Sequence, residues 1–199
     1  MLFWQYFHKV KKSTSPLQID GANALPGNVT NNGTLDFEQI AGSTDIYLGS
    51  ITGGNIVINS NTANTGTVLF SGFNTPINTF IQNGKLQLTN PGNLTGLITN
   101  NATLDLEGTG IFSGRFTGGN LVMNSTGPAT ITLQNVNTPA QTKIEQGIVI
   151  LPNANNLAGS IINNGTIKFP NSGTFLIKAE QDKSFFKKIP VPLAEQQTS

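Results

Sequence analysis

Val29-Thr30-Asn31-Asn32-Gly33-Thr34-Leu35-Asp36-Phe37 returns as Ile98-Thr99-Asn100-Asn101-Ala102-Thr103-Leu104-Asp105-Leu106, and again as Ile161-Ile162-Asn163-Asn164-Gly165-Thr166-Ile167-Lys168-Phe169. A repeat of this length governs the reading of the whole chain. Each copy is a polar Asn-Asn corner followed by alternation, which places Leu35 and Phe37 on one side of a strand and Thr34, Asp36 and Glu38 on the other. Working outward, Leu17-Gln18-Ile19 matches Leu86-Gln87-Leu88 and Val149-Ile150-Leu151, a step of 69 residues and then of 63. Thr75-Pro76 and Thr138-Pro139 keep the second step, as do Ile81-Gln82-Asn83-Gly84 and Ile144-Glu145-Gln146-Gly147. The six-residue difference falls in two connections, Glu38 to Gly53 against Glu107 to Gly118 and Asn59 to Thr67 against Asn124 to Thr130. Loops on a stacked scaffold tolerate such changes.

Short apolar strands begin at Leu17, Leu35, Ile56, Val68, Leu86, Leu104, Leu121, Ile131, Val149, Ile167 and Leu176. With Val68, Ile131 and Leu176 assigned to a second side, the principal strand recurs every 17 to 21 residues, or 28 to 30 where an intermediate strand is inserted. Shared motifs in shared register favour coils stacked in parallel, like above like, over an antiparallel sandwich, whose strands need no common sequence. The expected fold is all-β, a parallel β-helix of roughly eight coils and a rod on the order of 40 Å long. It divides as 1–16, an aromatic and basic cap; 17–178, the β-helix, about two and a half long repeats and cut short in the third; and 179–199, a charged tail containing proline. Gly53-Gly54-Asn55 and Gly118-Gly119-Asn120 are expected at sharp corners needing positive φ, and Asn31-Asn32-Gly33 at another, with amides bonding up the stack.

Charged residues make up 11 per cent of the 199. Between Gly21 and Ile177 six acids stand against four bases, so no basic field exists to hold a phosphate backbone and nucleic acid is not an expected partner. The absence of cysteine excludes a disulfide framework and a thiolate metal site. The start of the chain places its apolar residues before its lysines, the reverse of a secretory signal. The chain itself is not expected to span a membrane.

The repeats resemble the passenger domains of bacterial autotransporters, through Asn78-Thr79-Phe80-Ile81-Gln82-Asn83-Gly84-Lys85-Leu86-Gln87-Leu88, Ile98 to Leu106 and the Gly-Gly-Asn corners. Their Asn and Thr bias is most similar to rickettsial surface cell antigens and outer membrane proteins A and B. The resemblance covers residues 17–178. It implies a right-handed β-helix on the surface of a Gram-negative cell with an adhesive or host-contact role, and the expected partner is a host-cell protein or glycan or a neighbouring molecule; from the residues themselves, no enzymatic activity or cofactor is expected. It lacks two of the family's parts, the export signal and the ten-residue alternating segments of a translocating barrel. The expectation is therefore of a passenger piece, alternatively a truncated relic.

No catalytic, cofactor or metal residue is assigned. Asp36 with Glu38, and Asp105 with Glu107, project in pairs from one strand face about 6.5 to 7 Å apart, a spacing compatible with inverting glycoside hydrolysis. The pattern favours exposed acids that discourage lateral sheet aggregation, since Lys168 takes the acid's place in the third copy. A carbohydrate-active alternative would use Asp45, Tyr47 and the adjoining turn. The single histidine, His8, and the single tryptophan, Trp4, lie outside the array, so no triad is available, and a repeat calcium site would need Asp where the corners carry Asn. Arg115 is expected to point to solvent. Six Asn-x-Ser/Thr sequons, at Asn28, Asn32, Asn93, Asn101, Asn124 and Asn164, are expected by chance in so Asn-rich a chain. Unpaired end coils would favour self-association.

Overall fold

The structure, a computed structural model, describes residues 16–21, 25 and 27–170. The expected cap, apart from Pro16, the tail at 179–199 and the strand at Leu176 fall outside them. Nineteen strands follow one another among the described residues, every pair of them parallel. The chain winds round three sides. The first side carries β1 (Leu17–Asp20), β3 (Thr34–Glu38), β6 (Asn55–Ile58), β8 (Asn78–Ile81), β10 (Leu97–Asn100) and β13 (Arg115–Thr117). The second carries β4 (Thr44–Tyr47), β7 (Thr67–Phe70), β9 (Lys85–Leu88), β11 (Thr103–Leu106), β14 (Asn120–Met123), β16 (Gln141–Ile144) and β18 (Ser160–Asn163). The third holds β2 (Val29–Thr30) with β5 (Ile51–Thr52), and further along β12 (Gly110–Phe112), β15 (Thr130–Leu133), β17 (Ile148–Ile150) and β19 (Thr166–Lys168). The seven strands of the second side mark seven coils, and β1 with β2 precedes them, giving a β-solenoid of about eight turns.

Alternation decides which side chains enter. Leu35, Ile56, Thr79, Ile98 and Phe116 stack as one inner row on the first side, and Val68, Leu86, Leu104, Leu121 and Thr142 as one on the second. All ten are almost wholly buried; full burial of a Val, Leu, Ile or Phe side chain contributes about 1.5 to 3 kcal/mol. Near the start of the stack Phe37, Tyr47 and Phe70, one ring from each of three strands, meet at centroid distances of 5.4 to 5.9 Å, tilted or edge to face.

Two expectations are corrected. Coil length, read from paired residues, runs from 17 (Leu104 to Leu121) to 23 residues (Ile56 to Thr79), and Val68 shares its side with Leu86, Leu104 and Leu121 rather than lying on a separate one. The long repeat is also out of step with the coil. Leu35 lies on the first side, Leu104 on the second and Ile167 on the third, because each unit spans three coils plus the six residues that carry the chain to the next side. Like residues recur one side on, not directly above one another. What unites a stack is alternation alone, which any apolar β-former satisfies.

The corners explain the asparagines. Asn31 Nδ2 donates to Asn55 O in the next coil at 2.9 Å while its Oδ1 accepts from Gly33 N at 2.9 Å. Asn100 repeats this with Asn120 O and Ala102 N, one side on. Beneath each lies a Gly-Gly pair with positive φ, Gly53 and Gly54 or Gly118 and Gly119, and a Cβ on Gly119 would come within 2.1 Å of Asn100 Nδ2. Gly33 is not among the positive-φ residues, so the expectation of positive φ applies to the glycines below it. Asn74 ties three coils: its Oδ1 accepts from Ile51 N at 2.9 Å and its Nδ2 donates to Asn93 O at 3.2 Å. Asn137 does the same for Phe116 N and Asn156 O. Side-chain amides thus take the place of ladder bonds where the chain turns.

Candidate functional site

Asp36 and Glu38 point away from the core on β3, but they are not exposed: each is 6% accessible, and Asp105 and Glu107 stand at 0% and 6%. This overturns their expected place on an open surface. The cause is the length of the turn that follows in the next coil. Residues 59–66, between β6 and β7, fold back across the first pair, and residues 124–129, between β14 and β15, across the second.

In the first pair, Ser60 Oγ lies 2.6 Å from Asp36 Oδ2 and 2.7 Å from Glu38 Oε1. Asn61 N donates to Glu38 Oε1 at 3.1 Å and Asn64 Nδ2 to Glu38 Oε2 at 2.7 Å. Asp36 Oδ1 is buried without a partner among the described residues. In the second pair, Ser125 Oγ reaches Asp105 Oδ2 at 3.1 Å and also donates to Glu107 Oε1. Ser125 N and Thr126 Oγ1 donate to the two Glu107 oxygens at 2.8 and 2.7 Å. Lys85 Nζ stands 3.1 Å from Asp105 Oδ2, with Gln87 Nε2 at 3.3 Å. The third copy has Lys168 at the acid's position, and the turn that would follow it lies outside the described residues.

The electrostatics split each pair. Burial raises the Asp36 carboxyl above its ordinary value, the Ser60 hydroxyl opposing and the Glu38 charge adding to the rise. Burial acts upward on Glu38 too, but the donors Ser60, Asn64 and Asn61 outweigh it and hold Glu38 below its ordinary value. Asp105 is pushed up to about 6 by burial, against the pull of Lys85. Glu107 is buried as well, yet Ser125 and Thr126 bring it below the usual value. In each pair the Asp is the weaker acid, which keeps its proton to higher pH, and the Glu the settled carboxylate.

The spacing expected for inverting glycoside hydrolysis does not form. The contacting oxygens of Asp36 and Glu38 lie within the 5.3 Å that contacts of 2.6 and 2.7 Å allow, and Ser60 Oγ fills the gap where water or a sugar oxygen would stand. Tyr47 is buried, its hydroxyl donating to Gly27 O at 2.7 Å, and burial pushes its pKa up to about 12. It is not an aromatic platform for a glycan. Asp45 lies on β4 and its Oδ1 accepts from Ile46 N. Arg115 is exposed on β13, as expected. Of the sequons, Asn124 is fully buried with its amide donating to Ala129 O and Gln146 O, whereas Asn28, Asn32, Asn101 and Asn164 are exposed.

Sequence reasoning missed Ser60 and Ser125. The signal lay in the Asn-Ser step that opens both long turns, Asn59-Ser60 and Asn124-Ser125.

Among the described residues no group of three or more His, Cys, Asp and Glu is placed to hold a metal ion, and no helix is long and apolar enough to cross a membrane. The class defined by fold and site is a parallel β-solenoid with two sealed carboxylate pairs. No protein family, no curated protein and no solved structure matches the chain.

Proposed function

We propose that this chain is a non-enzymatic surface module of the autotransporter-passenger kind, serving as a structural or adhesive element that meets a host protein or glycan through its long polar sides. The observation that carries this reading is the sealing of the acid pairs. The side chains best suited to chemistry are spent on fastening turns to the scaffold, so the stacked outer rows remain as the contact surface. One such row on the first side runs Thr34, Asn55, Asn78, Leu97 and Arg115 through consecutive coils, one residue about every 4.8 Å. That geometry suits many weak contacts with an extended partner, whose summed strength comes from simultaneous engagement. The hollow beside Glu107, about 330 Å³ and lined by Leu69, Gln87, Thr89, Glu107, Gly108 and Thr126, is open.

The test is protease treatment of intact source cells followed by fractionation. Digestion from outside supports the reading, and a protein protected in the cytoplasm overturns it. Release of sugars from a glycan by the purified chain, lost in Glu38→Gln, would overturn the non-enzymatic half.

A further inference from the structure

We propose that the 59–66 turn is a proton-operated latch: its closed form captures one proton between Asp36 and Glu38 through Ser60, so acidification closes it and alkalinisation loosens it.

The inference begins with a count of hydrogens. Ser60 Oγ is within 2.7 Å of an oxygen on each carboxyl group, yet a hydroxyl has a single hydrogen to donate. Two such short contacts therefore require a second hydrogen, carried by one of the acids. Glu38 accepts from Asn61 N and Asn64 Nδ2 as well, which fixes it as the ionised member. Asp36 has donors from Ser60 alone, its hydroxyl and its backbone N–H, fewer than Glu38 has, so it is the group that carries the proton. The chain of donation runs from Asp36 Oδ2 to Ser60 Oγ and from Ser60 Oγ to Glu38 Oε1.

The surroundings leave the proton without a substitute. Across β1 the outward neighbours of Asp36 and Glu38 are Gln18 and Asp20, and across β6 the neighbour of Asp36 is Val57. Gln18 Nε2 is turned to Asp20 Oδ1 at 2.7 Å. The charged groups facing the site from the described elements are thus Asp20 and Glu38, both acidic. The second pair differs in this respect, because Lys85 supplies a positive charge to Asp105. Loss of the proton from Asp36 sets two negative charges side by side under a turn that excludes water, and opening the turn is the available relief. The raised carboxyl of Asp36 agrees with this direction.

The sign follows from linkage. In the open turn Asp36 returns to its ordinary value of 3.8, so between that value and the higher closed value opening releases one proton. The opening constant then rises about tenfold per pH unit and levels off above the closed value.

Hydrogen exchange at the amides of Asn61, Ala63, Asn64 and Gly66, measured on the full chain from pH 4.5 to 8 and corrected for intrinsic rates, reads this constant. The expected result is protection that falls with pH and then levels off, with the pH dependence lost in Asp36→Asn, whose amide can donate to Ser60 Oγ without titrating. Protection flat with pH in the native chain, or an unchanged slope in Asp36→Asn, would overturn the latch. Carboxyl ¹³C titration of the native chain decides the matter if the variant unfolds: Asp36 titrating at the unstructured value is the overturning result, and Asp36 titrating above it with Glu38 below it the supporting one.

Discussion

Asn100→Ala should destabilise the array by about 2 to 5 kcal/mol, and Asn101→Ala by no more than about 0.5 kcal/mol. The two residues stand side by side in the repeated motif, but only the first is built in. Asn100 is 1% exposed, its Oδ1 accepting from Ala102 N at 2.9 Å and its Nδ2 donating to Ala102 O and Asn120 O, each at 3.1 Å. Asn101 points to solvent. Truncating Asn100 strands the Ala102 N–H, at a cost of about 1 to 3 kcal/mol, and forfeits two weaker bonds of about 0.5 to 1 kcal/mol each. Asn120 O belongs to the next coil, so the loss falls on a contact between coils, and those contacts are what couples a repeat array. Urea unfolding followed by far-UV circular dichroism gives the total, and hydrogen exchange at Ala102 localises it. If the two variants lie within about 0.5 kcal/mol of one another, the assignment of inter-coil coupling to the first asparagine is refuted.

Thr79→Val and Thr142→Val should each stabilise the protein by about 1 kcal/mol, because both hydroxyls are buried in the core without a partner among the described residues; thermal unfolding checks this, and a lowered midpoint refutes it. Gly119→Ala should unfold its corner locally, given a φ of 52° and the 2.1 Å approach of Asn100 Nδ2, whereas Gly127→Ala, with nothing within 4 Å of the added carbon, should fold normally; exchange at Asn120 separates the two. For the second acid pair, Asp105 has a raised folded value, so its stabilising effect is complete below 3.8 and lost as pH rises through about 6. Glu107 is lowered, so its effect is present above 4.5 and lost as pH falls through its folded value. Stability attributable to this pair should peak between about pH 3.8 and 4.5 and decline as pH rises through about 6, and Asp105→Asn should abolish that decline. Urea midpoints from acid to neutral pH test it, and stability that rises between pH 4.5 and 6 would refute it.

The parts of the fold legible in the sequence are those that depend on period. Leu35 and Phe37, or Leu104 and Leu106, alternate with polar residues, and the stack buries the apolar members wherever they fall. The Gly-Gly pairs were legible because positive φ has few alternatives to glycine. The side of the coil on which each strand lies was not, because six residues more or less move a strand to the next side without altering its pattern. The acid pairs were misplaced for a related reason. Alternation sets Asp36 and Glu38 outward, and it did so correctly, but outward is not exposed when a turn from the following coil, more than twenty residues downstream, folds over them. Such cover is a property of turn length in a neighbouring layer, and no window around Asp36 contains it.

Because each long unit advances three coils and one side, the three copies of the motif face three directions about the axis. An array built by duplicating whole coils would display its copies as a single stripe and would have a front and a back. Here a duplicated unit instead screws round the rod, so successive copies are offered to different bearings in space. A partner that recognised the unit would meet successive copies from different sides of the rod.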